Sequence, residues 1–206
     1  MISFFQCLLD SDILLAKFDE GDSTSPRQAK RKVRARPILV VSPATVMRQW
    51  VREFHMWAPR FRVFLYHTSN AKIHARHANR RRRNSDPTAA EVDKLMRQIL
   101  TKSVSDPHTP TVVITTYEMV RLHAEMLVTG PTTPNWIYVV LDEGHKLRNP
   151  QAAITTVCKQ FATSHRLLLT GAPIQNNLIE LWSLFDFVFP GKLGVRYLVI
   201  STPNKW

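Results

Sequence analysis

The sequence predicts an α/β fold in which helices cover both faces of a parallel β-sheet. Short apolar runs at 38–41, 112–116 and 137–141 are rich in β-branched residues and have no polar alternation. Such runs are typical of strands that are buried on both faces. Segments with apolar residues at helical spacing lie between the runs, and this alternation of strand and helix indicates a parallel sheet.

The elements can be placed in chain order. Residues 2–18 predict a helix that packs on the sheet, and 19–36 form a polar, basic linker. Residues 68–110 interrupt the core pattern, and an insertion of this size is uncommon inside a compact domain unless it is functional or disordered. Strands are predicted at 38–41, 61–67, 112–116, 137–141 and 166–170, and helices at 43–57, 88–103, 117–127, 149–161 and 178–189.

The helix after the first strand is predicted to begin at Pro43, because proline is favoured in the first helical turn. Its N-terminus, Ser42 to Thr45, offers N–H groups and hydroxyls suited to a phosphate, although a simple helix cap explains the same residues. Its apolar face is predicted to hold Val46, Trp50, Phe54 and Trp57.

The charge of the chain is concentrated in two places. The formal net charge is +12, and residues 26–36 carry six basic side chains and no acid. Residues 70–110 carry nine basic against four acidic side chains, with a run of four arginines at Arg80–Arg83. Such clusters suit a polyanionic partner, nucleic acid before membrane, since no apolar stretch approaches membrane-spanning length. A solubilising or flexible loop would explain each run equally well.

The two cysteines, Cys7 and Cys158, lie far apart, and no cluster of cysteine and histidine surrounds them. This arrangement indicates neither a zinc site nor a disulfide framework. Both are predicted to be small buried side chains of a protein from a reducing compartment.

Two adjacent carboxylates, Asp142 and Glu143, follow the apolar run at 137–141 directly. In open α/β sheets ligands bind beyond the carboxyl ends of the strands. Mg²⁺ is commonly held there by one or two carboxylates together with water and nucleotide phosphates. The pattern is therefore that of one half of a nucleotide-triphosphatase site, and the alternative is a strand followed by a solvated acidic turn.

The other half of such a site is not found in the sequence. A phosphate-cradling loop needs the spacing Gly-x-x-x-x-Gly-Lys-Ser/Thr, and none of the six glycines belongs to one. The Gly191-Lys192 pair is followed by leucine and is predicted to be the turn that ends a helix.

Four segments in order resemble a known family. They are PILVVSPATVMRQWVREF, VVITTYE, VVLDEGHKLRNP and LLLTGAPIQNNLIELWSLFDFVFPGKLG. Together they resemble the first recombinase-like lobe of the Swi/Snf-type ATPases, double-stranded DNA translocases of helicase superfamily two, which has a P-loop NTPase fold. The Asp-Glu-Gly-His motif and the closing Phe-Pro-Gly-Lys-Leu-Gly are most similar to the branch of the Cockayne syndrome group B protein, which acts in transcription-coupled repair.

The resemblance implies a role for each matching residue. Asp142 would hold Mg²⁺ through water, and Glu143 would orient and deprotonate the water that attacks ATP. His145 and Lys146 would link the nucleotide site to the DNA side. Thr170, Gly171 and Gln175 would couple hydrolysis to the movement of the two lobes. The residues that would contact the DNA backbone are Pro43, Thr45, Thr115 and Thr116.

The same resemblance implies ATP and Mg²⁺ as cofactors, double-stranded DNA as a partner, RNA polymerase II or chromatin as further partners, and the nucleus as location. Arg80, Arg81, Arg82 and Arg83 are candidate DNA-binding residues in the insertion.

The resemblance also sets the expected domain organisation. Residues 1–36 are a partial N-terminal helix and linker, 37–194 are the ATP-binding lobe with its insertion at about 68–110, and 195–206 are a divergent tail. The phosphate-loop lysine of the family would lie upstream of Met1, and the second lobe would follow Gly194. We therefore expect a fragment of a DNA-dependent ATPase that hydrolyses ATP negligibly by itself. The alternatives are a non-catalytic DNA-binding module and a truncated gene product.

Overall fold

The computed structural model describes residues 1–3, 5, 7, 36–67, 94, 97, 98, 101, 110–131, 133–171 and 178–193. The strands are β1 (Ile38–Val41), β2 (Arg62–Tyr66), β3 (Thr111–Thr115), β4 (Trp136–Leu141) and β5 (Thr163–Leu168). The α-helices are α1 (Met47–Trp57), α2 (Tyr117–Leu122), α3 (Ala153–Lys159) and α4 (Leu178–Val188). A π-helical segment, Glu125–Thr129, follows α2, and a 3₁₀ helix, Gly144–Leu147, follows β4.

The five strands form one parallel sheet in the order β2-β3-β1-β4-β5. The predicted parallel α/β architecture is therefore confirmed. In the register of the sheet, Val41 at the end of β1 pairs with Thr115 of β3 and with Leu141 of β4. The carboxyl ends of the three central strands thus lie level with one another, and the residues that follow them share one edge.

Helices pack on both faces of this sheet, as the sequence predicted. On one face, side chains of α2, α3 and α4 form a core with alternate strand residues such as Leu39. On the other face, α1 and the N-terminal residues pack against the opposite set, which includes Val40. Phe5 is only 1% exposed, and its ring packs edge-on against that of Tyr138, with 5.4 Å between the ring centres. The predicted contact of the N-terminal helix with the sheet is thus present at the described residues.

Arg36 fixes the opposite, amino edge of the sheet. Its guanidinium donates to the side chain of Asn135, to the carbonyl of Trp136 and to the hydroxyl of Ser164. Partial burial lowers the pKa of Arg36 from its ordinary value. Arg36, which belongs to the basic cluster at 26–36, therefore links the amino ends of β1, β4 and β5.

The first turns of two helices differ from the prediction. Helix α1 begins at Met47, because residues 43–46 form a turn that is closed by the amide of Val46 donating to the carbonyl of Pro43. Helix α3 begins at Ala153, because the side chain of Asn149 accepts the amide of Gln151 in a preceding turn. Both proline-containing segments therefore precede the helices that they were predicted to open.

The other bounds follow the sequence closely, apart from those of β5 and α2. Strand β5 begins at Thr163 and ends at Leu168, because its pairing with β4 starts three residues earlier than predicted. Helix α2 stops at Leu122, and a π-helical segment continues the predicted length to Thr129. The helix predicted over 88–103 is helical and exposed at the four residues described there, and the rest of 68–109 lies outside the described residues.

Two burial predictions were wrong. Cys158 is buried as predicted, but Cys7 is exposed. Trp57 is 59% exposed, because it is the last residue of α1 and its indole turns to Glu53 on the same helix, with Nε1 donating at 2.9 Å. Among the described residues no helix is both long and apolar enough to cross a bilayer.

Candidate nucleotide site

The candidate site begins where β4 ends. The amide of Asp142 donates to the carbonyl of Val41 at 2.8 Å and extends the ladder between β4 and β1 by one residue. The main chain of Asp142 is therefore fixed by the sheet. Its side chain projects at the edge where the central strands end, which is the position predicted for ligand chemistry in such a sheet.

The two carboxylate oxygens of Asp142 are held by different parts of the chain. Oδ2 accepts a hydrogen bond from Nε1 of Trp50 on α1 at 2.8 Å. Oδ1 accepts the backbone amide of Glu143 at 2.9 Å. The contact of Trp50 was not predictable from the sequence, because its spacing on α1 matches the apolar face and gives no sign of a polar partner 92 residues away.

Tyr117, the first residue of α2, supports the same loop from the other side. Its hydroxyl donates to the carbonyl of Asp142 at 2.6 Å, and the ammonium of Lys146 lies 5.6 Å from the centre of its ring. Burial raises the pKa of Tyr117 well above its ordinary range, with smaller contributions from Cys158 and the two nearby carboxylates. The phenol is therefore neutral and acts as a hydrogen-bond donor.

Glu143 has an unusual backbone conformation. It is the only non-glycine with positive φ among the described residues, at φ 52° and ψ 47°, in the left-handed region that most side chains avoid. Its carboxylate lies 3.1 Å from Nδ1 of His145, and the two side chains are 46% and 38% exposed respectively. The predicted catalytic carboxylate thus contacts the predicted coupling histidine.

Gly144 allows the loop to return against β5. Its amide donates to the carbonyl of Leu169 at 2.8 Å. A Cβ at this position would lie 2.4 Å from Cγ of Leu168, far inside van der Waals contact. The glycine of the Asp-Glu-Gly-His motif is therefore required by close packing.

A cleft of about 420 Å³ opens beside Asp142, between α1 and the N-terminal residues. Its lining residues are Met1, Ile2, Ser3, Val46, Gln49, Trp50, Glu53, Trp57 and Asp142. Asp142 faces this cleft, whereas Glu143 is not among the lining residues. In the part of the chain that the structure describes, no cluster of three or more metal-ligating side chains occurs. The carboxylates that line the cleft are those of Asp142 and Glu53.

The predicted DNA-contacting residues fall into two groups. Pro43 is half-buried and Thr45 is exposed at the end of β1, so both are accessible. Thr115 is fully buried and donates to the carbonyl of Tyr66, and Thr116 is 6% exposed and accepts the amide of Met119 as the cap of α2. Both hydroxyls therefore make hydrogen bonds within the fold, and the DNA contacts predicted for Thr115 and Thr116 stay predictions.

The remaining predicted residues lie beyond β5 or in the insertion. Thr170 is half-buried and Gly171 is exposed, just past the end of β5. Gln175 and Arg80, Arg81, Arg82 and Arg83 lie outside the described residues. Their roles stay predictions.

Comparisons with known proteins place this geometry in a family. The sequence model of the SNF2-related domain matches residues 1–198. The chain is 45% identical over 158 residues to human DNA excision repair protein ERCC-6, which covers 77% of this chain and 9% of that protein. It is 40% identical over 181 residues to the Saccharomyces cerevisiae DNA repair and recombination protein RAD26, covering 77% of this chain and 16% of that protein. The chain thus spans less than a fifth of the length of these relatives.

Solved structures agree on the fold. The Sulfolobus solfataricus SWI2/SNF2 ATPase core in complex with dsDNA has a TM-score of 0.52 and 24% identity, over 82% of this chain and 30% of that one. The Sulfolobus solfataricus SWI2/SNF2 ATPase core domain has a TM-score of 0.51 and 25% identity, over 85% of this chain and 29% of that one. The match over residues 1–198 shows that the chain belongs to the SNF2-related domain family.

Proposed function

We propose that this chain carries the carboxylate half of the ATP-hydrolysing site of a DNA-dependent ATPase that translocates on double-stranded DNA. The observation that carries the proposal is the position of Asp142 and Glu143 directly after β4, at the edge where the three central strands end level. The names of the relatives, a DNA excision repair protein and a DNA repair and recombination protein, support a role in repair.

The donor set fits Mg²⁺ held through water. An ionised carboxylate has about four acceptor sites, and the Asp142 carboxylate uses one on each oxygen for Trp50 and for the amide of Glu143. Each oxygen keeps an acceptor site for a water of a hydrated cation, which is how Mg²⁺ commonly binds a single carboxylate. When bound, Mg²⁺ and ATP would supply the phosphoryl group and the charge neutralisation for its transfer.

The protein groups would then act as follows. Asp142 holds the metal's water ligands with a carboxylate that is oriented from both oxygens. Glu143 binds the attacking water and accepts its proton at a carboxylate oxygen, after exchanging the contact with Nδ1 of His145 for the water. His145 contacts Glu143, and Lys146 lies over the ring of Tyr117 on α2. We propose that these two residues connect the nucleotide site to the DNA side, as the family resemblance implies.

Hydrolysis by this chain alone is expected to be negligible. Its sequence contains no Gly-x-x-x-x-Gly-Lys-Ser/Thr loop to cradle the β- and γ-phosphates. An arginine finger from a second lobe would also be needed, and such a group changes turnover by about 10³ to 10⁵.

A non-catalytic DNA-binding module is the second candidate. It is favoured by the exposed basic side chains Arg48, Arg52 and His55 along one face of α1, in addition to the basic clusters of the sequence. Phosphate contacts of this type position a protein on DNA without reading its sequence. For either candidate we propose the nucleus as location and chromatin or RNA polymerase II as further partners, on the strength of the family resemblance and of the DNA repair names of the relatives.

The two candidates can be separated with the purified chain. Binding to a labelled DNA duplex is measured by fluorescence anisotropy over a salt series, and ATP turnover is measured with and without the duplex. We expect affinity that falls steeply with salt and turnover at background in both wild type and Glu143→Gln. DNA-stimulated turnover that Glu143→Gln abolishes would instead make the chain a complete catalyst. No binding at low salt would remove both candidates for the isolated chain.

A further inference from the structure

Trp50 connects α1 to the end of β4 through a single polar contact. Its indole N–H lies 2.8 Å from Oδ2 of Asp142, and the two residues are 92 positions apart in the chain. The ring of Trp50 packs on that of Phe54, with 6.1 Å between the two ring centres. Phe54 is fully buried and packs in turn on Phe61, so the core holds the indole in place. The donor therefore has a fixed position relative to the sheet.

A second indole in the same cleft makes a useful comparison. Trp57 donates to Glu53 at 2.9 Å, but these two residues lie one turn apart on α1, and Trp57 is largely exposed. That pair constrains only the surface of its own helix. By contrast, the Trp50 contact constrains a carboxylate of another element at the candidate nucleotide site.

The orientation of Asp142 depends on this contact. The amide of Glu143 holds Oδ1 but belongs to the same loop, so it fixes one oxygen relative to the neighbouring peptide only. The indole holds Oδ2 from outside the loop and so fixes the plane of the carboxylate against the body of the protein. Partners of this kind set the orientation of metal-binding groups and commonly change metal affinity about 10- to 100-fold when removed.

We propose that Trp50 is a positioning residue of the nucleotide site, whose indole holds the Asp142 carboxylate toward the cleft in the orientation that binds a hydrated divalent cation. This inference rests on the proposed function, since it assumes that Asp142 is the metal-binding carboxylate. It assigns to Trp50 a role that a purely structural bond between α1 and the sheet would not have.

The test uses the full chain labelled with ¹⁵N and Mn²⁺ alone as the probe. Paramagnetic Mn²⁺ broadens the resonances of nearby groups, and the backbone amide of Glu143, which donates to Asp142, reports binding at that carboxylate. The measured quantity is the Mn²⁺ concentration that halves this amide signal in wild type, Trp50→Phe, Trp182→Phe and Asp142→Ala. Unfolding in urea is measured for the same variants.

The proposal predicts that Trp50→Phe raises the half-broadening concentration at least about tenfold, as expected for loss of an orienting partner. Trp182→Phe should stay within about twofold of wild type, since Trp182 lies on α4 against Lys159 and is not among the residues that line the cleft. An unchanged Mn²⁺ response in a folded Trp50→Phe variant would overturn the proposal, even if that variant were less stable. A wild-type amide that responds no more strongly than that of Asp142→Ala would overturn the metal site itself, and the proposed function with it.

If the Trp50→Phe variant does not fold, the proposal can still be tested on the wild-type protein. In the wild-type protein the indole signal of Trp50 should broaden at the same Mn²⁺ concentration as the Glu143 amide. The buried indole of Trp136, which donates to the carbonyl of Leu127, serves as the distant reference. A Trp50 signal that broadens no earlier than that of Trp136 would also overturn the proposal.

Discussion

Replacing Gly144 by alanine tests the close packing of the acidic loop against β5. The added Cβ would lie 2.4 Å from Cγ of Leu168 and 2.7 and 2.9 Å from its two methyl carbons. Favourable carbon contacts lie at about 3.5–4.0 Å, so the groups must separate by about 1 Å. The backbone resists this movement, because Leu169 donates to the carbonyl of Leu141 and accepts the amide of Gly144.

We expect Gly144→Ala to lower the free energy of unfolding by about 1–3 kcal/mol, the usual cost of overpacking. The lower part of this range allows for a gain of about 0.4–1 kcal/mol from the reduced freedom of the unfolded chain. Urea unfolding followed by tryptophan fluorescence provides the measurement. Gly171→Ala is the matched control, since a Cβ there would meet nothing within 4 Å, and we expect it to match wild type or exceed it slightly.

A double-mutant cycle identifies the cause. Leu168→Ala removes the clashing atoms at the expense of a partly buried side chain, so the double variant should be more stable than the sum of the two single changes implies. A coupling of at least about 1 kcal/mol is expected for groups in direct contact. If Gly144→Ala were as stable as Gly171→Ala, or if the two changes were additive, the packing explanation for this glycine would be wrong.

Three further predictions concern groups around the core. Trp136→Phe should cost about 1–3 kcal/mol in urea unfolding, because it leaves a buried carbonyl without its donor; the exposed control Trp57→Phe should cost less than about 0.5 kcal/mol. Arg166→Met should cost about 2–4 kcal/mol, because the guanidinium donates to three backbone carbonyls near the carboxyl ends of α3 and α4, and a change within 0.5 kcal/mol of wild type would contradict this. Burial raises the pKa of Cys158 to about 12, so at pH 8 a disulfide reagent should modify exposed Cys7 rapidly and Cys158 only after unfolding. The stabilisation from keeping the Cys158 thiol neutral is complete below the unfolded pKa of about 8.5 and is lost progressively as the pH rises toward 12.

The three central strands, β1, β3 and β4, were predictable from the sequence because they are short, largely apolar and buried at almost every position. Ile38–Val41 is buried at every position, so its pattern depends on composition alone and needs no knowledge of partners. The start of β5 was less predictable, because Thr163 and His165 are polar and join the sheet only through pairing with β4. The first turn of α1 was missed because proline favours both a helix start and the turn that precedes Met47.

The site was predictable in its carboxylates but not in their partners. Asp142 and Glu143 follow a predicted strand, so their position at the sheet edge comes from local sequence. The contacts from Trp50 and Tyr117 depend on how α1 and α2 pack, which spacing within a helix does not specify. The left-handed conformation of Glu143 was not predictable either, since glutamate has no intrinsic preference for it.

The two carboxylates are constrained to very different degrees, and this difference suits their proposed roles. Asp142 is held at its amide by Val41, at its carbonyl by Tyr117 and at both side-chain oxygens. A group that orients a hydrated cation benefits from such rigidity, because misplacement of the metal would misplace every ligand on it. Among the described residues, the contact given for the side chain of Glu143 is with His145, in a half-exposed pair. A base that must first bind a water and then take its proton needs to exchange partners, so a half-exposed contact with a residue two positions along the chain suits the proposed role.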